Sequence, residues 1–383
     1  MLLIKNAYIK TMAGTELSNG CILVGDDGKI AQVAESIRAE GAQIIDAGGR
    51  LVTPGCVEAH CHVGLGNANM RWEGSDFNES TDPVTPQMRA IDSIYPQDER
   101  LSDGLAGGVT TVCTGPGSAN VVCGTFAAIK LYGRRVDDMI IKHPVAMKCA
   151  LGENPKNVYG QNKKAPKTRM GSASLLRELL FKAKDYYEQK KAGNHPKFDM
   201  KLEAMLPVMG GEIPLKCHAH RADDILTSIR IAKEFGVKLT LDHCTDGACI
   251  ADILGKEGYP AIVGPSFGAK TKPEMKSKAF STAGILHKAG VKVCITTDAS
   301  VTPIETLPMC AGLAAAKGLP MEEAWKAITI NPAEIIGIAD RVGSLEAGKD
   351  ADIVIWTADP LTTIGGCAYM TIVDGQIVYQ EQY

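Results

Sequence analysis

The middle of the chain alternates short apolar runs with amphipathic helical stretches, and that alternation leaves few folds open. Strand-like runs occur at 109–113, 144–152, 213–217, 237–241, 261–263 and 291–296. One more starts at Gly55 and another lies within 120–129. Between them, residues 175–191 place Leu175, Leu176, Leu179, Leu180 and Ala183 on one face, with Ser172 or Ser174 as cap and Gly193 past the end. Residues 223–235 give a second amphipathic stretch, and Gly104 to Gly108 end a third. Strands alternating with helices predict a parallel sheet, and eight such strands fit a closed α/β barrel of about 250 residues.

The two ends read differently. Residues 2–10 alternate in polarity, and Ile22–Val24 and Ile30–Val33 flank the turn Gly25-Asp26-Asp27-Gly28. Near the other end, 351–356 is a strand pattern, and 371–373 and 376–379 flank Asp374-Gly375, a strong hairpin dipeptide. Strand edges seldom stay unpaired. One small sheet domain from both termini, residues 1–52 with 345–383, is therefore expected around a barrel spanning 53–344.

Composition narrows the class of activity. Of 383 residues, 45% are hydrophobic and 22% charged, an ordinary balance for a folded soluble protein. Forty-one basic against 44 acidic residues leave a net charge of −3, so no basic footprint for nucleic acid is present. No apolar run reaches the length of a membrane helix, and the first residues carry no secretory pattern. The 12 cysteines include no Cys-x-x-Cys pair, which predicts buried, reduced thiols in a cytoplasmic protein.

Chemistry concentrates at predicted strand ends. His60 and His62 follow a strand start at Gly55-Cys56-Val57, and a spacing of two puts both on one side. Two imidazoles there suit a metal ion, although one such pair alone fits two polar residues at a strand end equally well. His218 and His220 end another strand, His243 a third, and Asp298 the last. Five of the eight histidines thus fall on the rim where α/β barrels carry their active sites. On the fourth strand, Glu153 and Lys148 compete as ligand. Lys148 lies five residues earlier, about 16 Å deeper at the usual strand rise and on the opposite face, so Glu153 is preferred and Lys148 is expected to face the helices.

This constellation resembles the amidohydrolase superfamily. The resemblance rests on Thr53-Pro54-Gly55-Cys56-Val57-Glu58-Ala59-His60-Cys61-His62, Gly108-Val109-Thr110-Thr111-Val112, His218, His243, Thr297-Asp298, Asn331-Pro332-Ala333 and Gly343 through Asp352. Within it, 218–225 and 152–156 are similar to imidazolonepropionase-like and Xaa-Pro-dipeptidase-like members. The resemblance implies a distorted (β/α)8 TIM barrel, of class α/β, carrying a small β-sandwich built from both termini. It implies one or two divalent ions, zinc first, with iron or manganese as alternatives. His60 and His62 would hold the first metal, Glu153 would hold or bridge a metal where many binuclear relatives use a carbamylated lysine, and His218 and His243 would be the ligands of the fifth and sixth strands. Asp298 would move a proton from the attacking water to the leaving nitrogen. The implied activity is hydrolysis of a linear or cyclic amide in a small molecule, such as an N-acyl amino acid or dipeptide. Homo-oligomers are frequent in the family.

The remaining rim residues are read more plainly. His220 stands beside His218 and would contact substrate or support a ligand. The loop after the fourth strand carries Lys156 and Arg169, either of which could take a substrate carboxylate, against the commoner solvated loop. The segment 69–98, rich in acids, either covers the site or packs beside it. Gly115-Pro116-Gly117-Ser118 reads as a turn. Cys61, Cys217 and Cys244 adjoin ligands and should pack outward. Two other activities fit less well. A deaminase would need ring-stacking aromatics, which make up 5% of the chain. A non-catalytic interaction protein would have lost ligands that are present here.

Overall fold

The computed structural model describes residues 1–381. Eight strands form the barrel wall in sequence order: β1 (Cys56–Cys61), β2 (Val109–Thr114), β3 (Val122–Lys130), β4 (Ile140–Ala150), β5 (Leu215–Ala219), β6 (Leu239–His243), β7 (Ala261–Val263) and β8 (Val293–Ile295). β4 to β8 are mutually parallel, as are β1 and β2. The third strand departs from expectation: β3 runs antiparallel to both β2 and β4. Only residues 115–121 join β2 to β3, too few for the crossover of a dozen or more residues that parallel pairing needs. The chain therefore turns on the rim and descends.

No strand ladder joins β1 to β8; side chains close the barrel. The Glu58 carboxylate accepts the His60 amide at 3.0 Å through one oxygen and the Thr297 amide and hydroxyl at 2.8 and 2.7 Å through the other. Thr296 Oγ1 donates to the His60 carbonyl at 2.7 Å. The long helix on the outside starts earlier than its apolar stripe, at Arg169, because Thr168 Oγ1 caps the Gly171 amide.

Strands Leu2–Lys10, Glu16–Val24, Ile30–Ala34, Gln43–Asp46, Leu51–Pro54, Ile353–Trp356, Ala368–Val373 and Gln376–Gln380 make one further sheet from both ends of the chain. Their inward residues, among them Ile4, Ile22, Ile353 and Ile372, form a core of their own. The Asp374-Gly375 turn has both residues left-handed, φ 47° and 75°, as a two-residue hairpin requires. A buried ion cluster fastens this sheet to the barrel. Lys130, on β3, reaches Asp352 at 2.7 Å, Asp350 at 3.1 Å and Asp374 at 3.3 Å. With Lys29 and Arg341 also on Asp350, these cations hold its carboxyl down at about 2 against the cost of burial. This explains the acidic Asp350-Ala351-Asp352 run in the sequence.

Lys130→Met should leave the buried Asp352 carboxylate without its direct cation. Urea unfolding should then show a loss of about 3–5 kcal/mol. Lys182→Met, at an exposed helix pair with Glu178, should leave the midpoint where it is.

Candidate metal centre

Five imidazole rings meet at the C-terminal mouth of the barrel, with neighbouring centroids 4.4 to 5.4 Å apart. They come from three strand ends: His60 and His62 from β1, His218 and His220 from β5, His243 from β6. Every Nδ1 is engaged. His60 bonds Asp242 Oδ2 at 2.7 Å, His62 the Gly115 carbonyl at 2.7 Å, and His243 the Gly264 carbonyl at 2.7 Å. His218 meets Ser118 Oγ at 3.0 Å and His220 Thr245 Oγ1 at 2.7 Å. A histidine that donates Nδ1–H to such an acceptor presents the lone pair of Nε2 on the other side, the usual support of a metal ligand.

The Nε2 atoms gather around two carboxylates. Those of His60 and His62 lie 3.6 and 3.3 Å from Asp298 Oδ1. Those of His218 and His220 lie 3.6 and 3.8 Å from Glu274 Oε1. His243 Nε2, Asp298 Oδ1 and Glu274 Oε1 are all buried without a hydrogen-bond partner. Buried polar atoms are rarely left so, and a divalent cation is the partner that imidazole nitrogens and carboxylate oxygens share. His218, His220 and His243 offer ligand atoms within 4.8 Å of one another, as do His60, His243 and Asp298. The residues present therefore fit a metal.

Backbone geometry brings adjacent residues into the same site. In a regular strand Asp242 and His243 would face opposite sides. His243 instead has φ 73°, and Asp298 has φ 53°, an uncommon conformation that turns the chain at the strand end. Asp242 thus supports His60 from inside the barrel while His243 also reaches the cluster.

The structure brings His60, His62, His218, His220, His243 and Asp298 together. It does not bring Glu153 to the cluster. Glu153 opens the helix Glu153–Gln161, and its Oε2 accepts the Glu274 amide at 3.2 Å. Lys148, expected to face the helices, lies inside with Nζ 3.2 Å from His60 Nε2 and no exposure. Counting alternation from Lys148 to Glu153 fails because the strand ends at Ala150 and Gly152 turns at φ 100°. Arg169 is committed to buried Asp224, at 2.9 Å, and Lys156 lies part-exposed on the helix after β4. Cys61, Cys217 and Cys244 pack in the main apolar core, and burial pushes the Cys244 thiol up to about 12. Phe77, from the segment 69–98, stacks on His62 at 5.6 Å, and Asn78 Oδ1 accepts the Ala119 amide at 3.0 Å, so that segment packs on the site. Glu58, Asp242, Ser118 and Glu274 went unread. Glu58 had a signal, since it shares the even spacing of His60 and His62.

With this geometry in view, the comparisons define the class. The model of the Amidohydrolase family matches residues 51–378, and the chain belongs to that family. It is a metal-dependent hydrolase acting on C–N bonds in small molecules. The crystal structure of an amidohydrolase from Thermotoga maritima MSB8 is similar over the whole of both chains, with TM-score 0.96 and 40% identity. Imidazolonepropionase from Rhizobium rhizogenes is 26% identical over 388 aligned positions, covering 91% of this chain and 89% of that protein. Amidohydrolase tasK from Hapsidospora irregularis is 27% identical over 370 positions and 89% of this chain, which spans 38% of that protein's length. No helix among the described residues is long and apolar enough to cross a membrane.

Burial holds His60, His218, His220 and His243 well below the usual imidazole value of 6.5, and the Lys148 ammonium pushes His60 and His218 the same way. In the unfolded chain these groups take up protons below about 6.5 that the folded site refuses. Stability is thus present above that pH and lost as pH falls through it. The melting temperature of metal-free protein should fall between pH 7.5 and 5.5. His220→Gln should show a shallower fall in the same scan.

Proposed function

We propose that this enzyme hydrolyses the C–N bond of an amide, linear or cyclic, using zinc held by His60, His62, His218 and His243. Iron and manganese are the alternative ions, and N-acyl amino acids, dipeptides and cyclic amides are the substrates to try first. The observation that carries the reading is the set of four Nε2 atoms directed at carboxylates, with the unpartnered Nε2 of His243 beside them and each ring fixed through Nδ1. The relatives named imidazolonepropionase favour a cyclic amide in the first screen. When bound, the ion supplies activation of water near neutral pH and polarisation of the scissile carbonyl.

The chain's own part is to place a proton acceptor beside that water. Asp298 stands at the end of β8 with its side chain 13% exposed, so it meets both the buried cluster and the open mouth. It accepts a proton from the attacking water and returns it to the leaving nitrogen. Its position is held by Thr296 Oγ1, which accepts the Asp298 amide at 3.0 Å. A deaminase would need an aromatic face free for the substrate ring. Phe77 and Phe126, the aromatics against the cluster, lie on His62 and His60 instead.

Asp298→Asn keeps the shape but cannot take a proton near neutral pH. Turnover should fall by about a hundredfold or more, with KM changed less and most of the metal retained. Metal content, melting and kinetics on one preparation check this. Metal loss in step with activity would make Asp298 chiefly a ligand, and full activity in the folded, metal-loaded variant would remove it from the mechanism.

Lys148 is the fourth-strand residue against the cluster. Burial opposes the charge on its amine, and a carbamate on that nitrogen would offer the cluster an oxygen ligand. Lys148→Ala should lower metal content and turnover by about tenfold or more, and Glu153→Ala should lower metal content less. Elemental analysis of both variants decides; the opposite order would restore Glu153 as the ligand.

A further inference from the structure

Glu274 sits on the loop after β7 with 1% of its surface exposed. Among the described residues no lysine or arginine pairs with it. Its Oε2 accepts the Glu153 amide at 3.0 Å, while Glu153 Oε2 accepts the Glu274 amide at 3.2 Å. Gly152 makes room for this exchange: a Cβ there would stand 2.8 Å from Glu274 Oε2. These contacts fix the carboxylate and leave Oε1 facing His218 and His220. The separations of 3.6 and 3.8 Å are too long for hydrogen bonds. They are the separations of two ligands on one ion. Groups each about 2.1 Å from a metal stand roughly 3.4 Å apart at the tetrahedral angle and farther at wider angles.

A lone carboxylate removed from water is strongly unfavourable unless a cation answers it. Among the described residues Oε1 has no hydrogen-bond partner, and only the Nε2 atoms of His218 and His220 face it. We propose that Glu274 is a metal ligand and makes, with His218 and His220, a second divalent-cation position beside the one framed by His60, His62 and Asp298. The inference rests on the metal-dependent reading above and deepens it. His243 lies within reach of both positions. Asn154 Nδ2 occupies the same face of His218, 3.3 Å from Nε2, and an ion at His218 displaces it. The carboxylate ligand expected near the fourth strand is thus supplied from the seventh, and Glu153 holds it in place.

Cobalt(II) titration of the metal-free full-length protein tests this, read by the metal's visible absorption and by elemental analysis after gel filtration. The wild type should take two ions per chain. Glu274→Gln should take one, or take the second with a Kd at least tenfold higher. Glutamine still accepts the Glu153 amide and removes the buried charge, so the metal-free variant should melt no lower than the metal-free wild type. Its melting temperature should also rise less on cobalt addition. Glu153→Gln, which keeps the backbone amide, should still take two ions. Two ions of unchanged affinity in Glu274→Gln would overturn the proposal, as would a single ion in the wild type or a metal-free Glu274→Gln that melts well below it. Those outcomes leave the metal-dependent reading standing. A wild type that takes up no cobalt removes that reading and this one together.

Discussion

The metal centre depends on how β1 meets β8, and that junction is built on one carboxylate. Glu58 has no exposure and, among the described residues, no cationic partner, yet it accepts two backbone amides and a hydroxyl from the two strands. Burial pushes its carboxyl up, and the bonds from Thr296 and Thr297 pull the other way. Its two oxygens tie the amide of His60 to that of Thr297, and with the Thr296 hydroxyl on the His60 carbonyl they bring His60, His62 and Asp298 into register. Parallel strands would do this with a ladder of evenly spaced bonds. Here the ladder stops at β8, and β8 is only three residues long. The His62 amide still bonds the Ala299 carbonyl at 2.6 Å, which places the β1 rim against the turn that carries Asp298.

Beneath the rings the barrel axis is positively charged. Lys148 and Lys216 are neighbours in the β4–β5 register and both lie over Phe126, 5.6 and 5.5 Å from its centroid. The Asp242 carboxylate, 3.2 Å from Lys216, answers this charge and bonds His60 Nδ1. An anion on Nδ1 raises the ligand strength of Nε2, while the ammonium groups oppose protonation of the same ring. On protonation the two effects oppose each other, and burial with the ammonium groups prevails, leaving His60 as the neutral imidazole that a divalent ion binds. A cation centre built in this way resists protons and accepts a metal.

How much of this was legible depended on regular geometry. His60, His62, His218 and Asp298 were readable because strand ends in an α/β barrel converge, and because two residues on one strand at even spacing share a face. Reading failed wherever the chain left that geometry. Gly152 broke the count between Lys148 and Glu153. The left-handed backbone at His243 let Asp242, its immediate neighbour, enter the same site. The seven residues between β2 and β3 reversed a strand, and the turn they form supplies Gly115 and Ser118 to His62 and His218. Glu274 could not be read at all, since its role comes from a loop 121 residues away from the Glu153 amide that holds it.

The same geometry decides where the cations of the rim lie. The positive charge that the sequence places after the fourth strand is largely engaged: Arg169 is bound to Asp224 on the helical side of the barrel, and Asp224 is itself buried. The loop after β7 carries its own cations nearer the rings. Lys272 donates to Asn154 Oδ1 at 2.8 Å, and the other end of that amide stands 3.3 Å from His218 Nε2. Lys278 bonds the Phe267 carbonyl, and burial pulls its ammonium down while Asp298 draws it up. Lys272 and Asn154 thus stand nearer the rings than the engaged Arg169 does. The reciprocal Glu153–Glu274 bonds join these two loops, so the carboxylate at the rings and the lysine at the mouth are carried by one connected piece of backbone.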